Sequence, residues 1–159
     1  MKIRLPKLCL PALIASLLLA ASALAQENLP TCTDRLITGA YGFTIRGQKL
    51  GGPGPIGAQV GVAMAHFDGE GSFTQTDTVT IEGLVVADFS HPPANGTYTV
   101  NSDCTGTFTI NFTDGRPPVA TAFVVVDNGN EIDVVVTSAG GNQGILATGS
   151  TGKRVSRRR

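Results

Sequence analysis

The side chains able to do chemistry in this chain are few, and their spacing points away from a standard catalytic set. There are two histidines, His66 and His91. His66 ends an apolar alternating run, a setting that suits a packed or rim imidazole better than a general base. His91 stands before two prolines in what reads as a solvated loop. No serine sits in a G-x-S-x-G elbow, and no cysteine or histidine pair has zinc-ligand spacing. No catalytic residue, metal site or cofactor is therefore expected. Among the carboxylates, Asp68, Asp114 and Asp127 fall in turns, where they accept from local backbone amides. Asp77, Glu82, Asp88 and Asp133 fall within or beside strands. One of these that pointed into an apolar interior would have a shifted pKa and would mark a site. The stretch from Asp68 to Gly71 has too few carboxylates for a calcium loop and reads as a turn.

Cysteine chemistry depends on the compartment. Lys2, Arg4 and Lys7 precede an apolar run from Leu8 to Ala21, and Ala23-Leu24-Ala25 has the small-x-small pattern of a cleavage site. Residues 1–25 are thus expected to be an export signal peptide, with the mature chain starting at Gln26. The apolar run is short for a bilayer span. Loss of Cys9 with the signal leaves Cys32 and Cys104, an even pair in an oxidising compartment, so one structural disulfide is expected.

Charge narrows the partners. All 12 acidic residues follow the signal, against nine of the 12 basic ones. Five of those nine, Lys153, Arg154, Arg157, Arg158 and Arg159, lie in the last seven residues. An acidic body argues against nucleic acid as a partner. The segment 151–159 reads as a basic tail, either solvated or in contact with an anionic envelope surface. The absence of tryptophan leaves little for a sugar-stacking platform, and no glycine-rich stretch feeds a helix that could hold phosphate.

The elements that must position these residues are strands. After an irregular segment at 26–38, Tyr41, Phe43 and Ile45 share one face of a strand over residues 39–46. Residues 47–57, with five glycines and two prolines, read as a mobile loop, either a connection or a lid. Residues 58–67 place Val60, Val62, Met64 and His66 on one side and Gly61, Ala63, Ala65 and Phe67 on the other. Such a strand is covered on both faces, or its small-residue face lines a barrel interior and leaves space there. Further strands follow at 72–81, 84–89, 97–101, 107–112, 119–126, 131–137 and 145–149. Residues 95–112 form a hairpin with Tyr98, Phe108 and Ile110 on its apolar face, and Asp127-Asn128-Gly129-Asn130 favours a type I′ turn. No segment after the signal reads as an amphipathic helix. The expectation is an all-β domain over residues 39–150, a single antiparallel up-and-down β-barrel of about eight strands, with a two-sheet β-sandwich as the alternative.

The passages GAYGFTIRG at residues 39–47 and GTYTVNSDCTGTFTINF at residues 96–112 add a resemblance. They resemble a group of small exported bacterial proteins, mostly hypothetical, in which a Y-x-F strand precedes a GTYxVNxDCxGT hairpin. That resemblance implies a periplasmic or extracellular bacterial protein and supplies no activity. More distantly, the run of hairpins is similar to lipocalin-like (calycin) barrels and to allene oxide cyclase or dirigent-like barrels. The functional expectation is an exported small barrel holding a small apolar ligand in its interior, with Tyr41, Phe43, Val62, Met64 and His66 as candidate ligand-binding residues. A structural or cell-envelope interaction module is the alternative. An allene oxide cyclase-like isomerase would need a polar group inside an otherwise apolar cavity.

Overall fold

Nine segments, most of them with side chains alternating between a buried and a more exposed face, are strands in the computed structural model, which describes residues 31–90, 92–139 and 144–155. These are β1 (Gly39–Gly51), β2 (Gly57–Phe67), β3 (Ser72–Ile81), β4 (Leu84–Ala87), β5 (Ala94–Val100), β6 (Thr105–Asn111), β7 (Val119–Val126), β8 (Glu131–Ala139) and β9 (Ile145–Arg154). All pair antiparallel, in the order β2-β1-β9-β8-β7-β6-β5-β3, and the β2–β3 pairing closes the ring. The fold is thus a closed eight-stranded barrel with sequential hairpins, and the sandwich alternative is set aside. β4 is an additional strand outside the ring. β3 pairs with β5 from Ser72 to Gln75 and with β4 from Val79 to Ile81, so its ladder changes partner around residues 76–78.

β1 and β9 extend furthest beyond their expected limits, for local reasons. β1 continues through Gly47 to Gly51, which reduces the expected eleven-residue loop to residues 52–56. Gly47 marks a close approach, not a strand end: a Cβ there would run into the Ala147 carbonyl oxygen and the Thr148 backbone of the neighbouring strand. β9 continues to Arg154 because its last residues have partners. Lys153 forms an ion pair with Glu131 at 3.2 Å, and the Arg154 amide donates to Asn130 O at 2.8 Å. Lys153 and Arg154 therefore belong to the barrel wall and not to a tail; residues 156–159 lie outside the described residues, as do the expected signal peptide and His91. Asp127 to Asn130 makes a four-residue loop between Val126 and Glu131, with positive φ at Asp127, Asn128 and Gly129, in place of a two-residue type I′ turn.

One end of the barrel is plugged. Cys32 is buried and disulfide-bonded to Cys104 at the tip of the β5–β6 hairpin, with a Cα–Cα separation of 5.0 Å. Its amide donates to Ser102 O, and Asp34 accepts from the Val100 amide at 2.6 Å. A 3₁₀ turn at Asp34–Ile37 then drives the wholly buried Ile37 into the barrel mouth. Arg154 locks this plug from the opposite wall: its guanidinium donates to Leu36 O at 2.7 Å, to Gly129 O at 2.8 Å and to Thr38 O, and it lies 4.9 Å from the centroid of the Tyr41 ring. Beneath the plug the core is aromatic. Phe67 packs edge-on against Tyr41, Tyr98 and Phe108 and stacks on Phe73, with centroids 5.1–6.4 Å apart.

Candidate ligand-binding site

The aromatic cluster does not fill the whole barrel. Towards the end opposite the plug it leaves a cavity of about 120 Å³. Strand parity explains the lining. On β1 the inward set that begins with Tyr41 continues through Phe43 and Ile45, and on β6 it is Phe108 and Ile110. Val119 of β7, Val134 and Val136 of β8 and Leu146 of β9 complete an apolar wall. Space beside β2 comes from Ala63, whose side chain is a single methyl group.

Six polar side chains interrupt that wall. Gln59, Gln75, Thr121 and Thr148 are buried, and Asp77 and Ser150 are half-buried. Thr148 Oγ1 donates to Gln59 Oε1 at 3.4 Å, in the space left by Gly47, and Thr121 Oγ1 donates to Phe108 O at 3.1 Å. Gln75 Nε2 donates to Asp77 Oδ2 at 3.4 Å. Gln75 and Asp77 also line a narrow cleft at the outer surface with Asp88, Pro92 and Arg116, at the place where the β3 ladder changes partner. Arg116 in that cleft is held by Asp114 at 2.8 Å and lies 4.0 Å over the Phe112 ring. Asp77 thus stands between the interior and the surface. Of the four strand carboxylates singled out from sequence, it is the one that lines the cavity; Asp133 faces outward and accepts from Thr151 Oγ1 at 2.8 Å.

The candidate lining residues divide. Phe43 lines the cavity. Tyr41 is inward and wholly buried, but it belongs to the plug: its hydroxyl donates to Gly129 O, and burial raises its pKa despite the neighbouring Arg154. Val62, Met64 and His66 lie on the opposite face of β2, with Val62 and His66 exposed on the outside of the barrel. They are not brought together with Phe43, and the correction has a simple cause. The aromatic rings from neighbouring strands occupy the interior beside β2, so its small-residue face turns inward and its bulkier face turns out. Gln59 and Gln75 were not named as candidates, whereas Asp77 was named only as one of four strand carboxylates whose direction was open. The signal for Asp77 was present, since it has the same parity as the buried Phe73, Val79 and Ile81.

Among the described residues there is no group of three or more side chains suited to hold a metal ion, and no helix long and apolar enough to cross a membrane. The chain was compared with protein-family models, with curated proteins and with solved structures, and none of them matches it.

Proposed function

We propose that this protein is an exported binding barrel that holds one small, largely apolar molecule in its interior. The observation that carries the reading is the cavity of about 120 Å³, walled mainly by phenylalanine, isoleucine, valine and leucine at the end opposite the disulfide-anchored plug. Apolar cavities of about 150 Å³ take up single-ring molecules such as benzene. A long-chain fatty acid exceeds the space; a ligand of one ring or a short branched chain suits it. Export, and membership of the group of small bacterial proteins with the same Y-x-F and GTYTVN passages, form part of the same proposal. They are supported by the leader-like first 25 residues and by a disulfide that an oxidising compartment would preserve.

The experiment is a thermal melt in the presence of toluene. Binding to the folded state raises the melting temperature as ligand concentration rises. Ala63→Leu, which fills the cavity from β2, is expected to abolish that response. A melting temperature that toluene leaves unchanged in the unaltered protein, or raises equally in the variant, would overturn the proposal.

A further inference from the structure

We infer that the end of the barrel opposite the plug docks on the surface of a phospholipid bilayer through Leu50, Ile56, Leu84 and Ile145; the docking does not depend on the binding role proposed above. Among the described residues these four are all of the exposed leucines and isoleucines, each between 54 % and 64 % exposed. The pairing registers set them side by side. Ile145 lies across from Gly51, the residue after Leu50, and the loop 52–56 joins Leu50 to Ile56. Ile81 pairs with both Gln59 and Leu84, and the Glu82 amide donates to Ala58 O at 2.9 Å, which brings Leu84 beside the start of β2. The result is an apolar arc on the rim over β9, β1, β2 and β4. Leu146, next to Ile145, lines the cavity, so the arc flanks it.

Charge is arranged to match. The segments that form the arc, residues 47–60, 81–87 and 144–149, hold two charged side chains, and both are engaged. Lys49 turns inward, is 7 % exposed and donates to Pro53 O; the Glu82 carboxylate accepts from the Ala58 amide at 2.5 Å. The plugged end is the reverse, since its turns carry Asp68, Glu70, Asp103 and Asp127, all exposed. A body with large apolar side chains at one end and charge at the other orients itself at a boundary between water and lipid. Exposed apolar patches mark membrane or protein contacts, and size separates the two here. A stable protein interface takes about 20–30 residues a side, far more than this arc supplies. A bilayer takes up a few protruding leucine and isoleucine side chains in proportion to the area they bury, with no demand for a matching shape. With its two charges engaged, the arc has no need of anionic lipid, and its binding is insensitive to salt.

The test is flotation with phosphatidylcholine vesicles, at low and at high salt, of the chain from Gln26, the form expected after export. The protein is expected to float with the vesicles to the same extent at both salt concentrations. Leu50→Glu combined with Ile145→Glu is expected to weaken partitioning about tenfold or more, because two apolar anchors are replaced by charge. Val135→Glu, on the outer wall of β8 at a position 51 % exposed, is expected to float as the unaltered protein does. Circular dichroism reports whether each variant is folded. If the double variant does not fold, Ile56→Glu in the loop takes its place, with a loss of several-fold expected. Absence of flotation, or an equal loss in Val135→Glu, would overturn the inference. So would flotation confined to vesicles containing phosphatidylglycerol at low salt, which assigns the contact to basic residues, or a dimer in sedimentation that the double variant abolishes, which assigns the arc to a second copy of the chain. The toluene melt decides the cavity reading separately.

Discussion

Tyr41 and Tyr98 are the two tyrosines of the chain, and each hydroxyl ties the barrel to its closed end. Tyr41 donates to Gly129 O; Tyr98 accepts from the Gly69 amide at 2.8 Å and donates to Asp34 O at 3.3 Å. Burial raises both pKa values above the ordinary 10.0, and for Tyr41 it outweighs the opposing effect of Arg154. A raised pKa means that the folded state holds its proton more firmly than the unfolded one. The stabilising contribution is therefore fully present below pH 10.0 and is lost as pH rises through the raised values. In an alkaline titration, phenolate absorbance is expected to appear only above pH 10.0 and together with loss of the β-sheet circular dichroism signal. Phenolate forming at the ordinary value in an intact barrel would contradict this account of the closed end.

At the scale of elements, glycines on inward faces decide where strands can approach one another. Phe43 is directly opposite Gly152, Phe73 opposite Gly96 and Phe123 opposite Gly106, and a Cβ on any of these glycines would enter the facing ring. Aromatic side chains thus cover the backbone that the glycines leave bare. Gly47 belongs to the same scheme with a backbone neighbour in place of a ring. Gly47→Ala is expected to lower stability by about 1–3 kcal/mol in a denaturant melt, the range for forcing atoms into packed space. Gly42→Ala, on the same strand with its nearest neighbour 3.9 Å away, is expected to change stability by less than about 0.5 kcal/mol. Equal losses would mean that crowding at Gly47 is not what constrains β1.

This scheme also explains what could be read from the amino-acid order. The hairpin of β5 and β6 was legible because Tyr98, Val100, Phe108 and Ile110 alternate with Thr97, Thr99, Thr107 and Thr109, so one face is apolar and the other is not. β2 was ambiguous, since valine and methionine on one face compete with alanine and phenylalanine on the other, and only the space left by rings on other strands decides between them. The far half of β1 was hidden because Gly47, Gly51 and the Gly-Pro run after it look the same whether a glycine breaks a strand or lets two strands touch. Half of the candidate site followed the same fate: Phe43 was legible from its aromatic alternation and Asp77 was one of four strand carboxylates whose direction was open, while Gln75 is a polar residue on an inward face that composition assigns to solvent.

For the whole molecule, the Cys32–Cys104 disulfide joins the plug to the wall across a separation of 72 residues. In the chain-entropy account a crosslink of that span contributes about 4 kcal/mol. Cys104→Ser is expected to lower the melting temperature under oxidising conditions and to have little effect once the unaltered protein has been reduced. Identical melting of oxidised protein and variant would leave the plug held by Arg154, Asp34 and Ile37 alone. The closing of the ring by β2 and β3 has a different consequence. The β2–β3 pairing closes the ring, and Val79 to Ile81 of β3, which β5 does not reach, are covered by β4. β4 itself has a free outer edge, four residues long with Leu84 and Val85 exposed. Short edges are poor templates for strand addition. The outer edge of β4 is therefore a poor foothold for aggregation, and it lies outside the ring whose interior is proposed to do the binding.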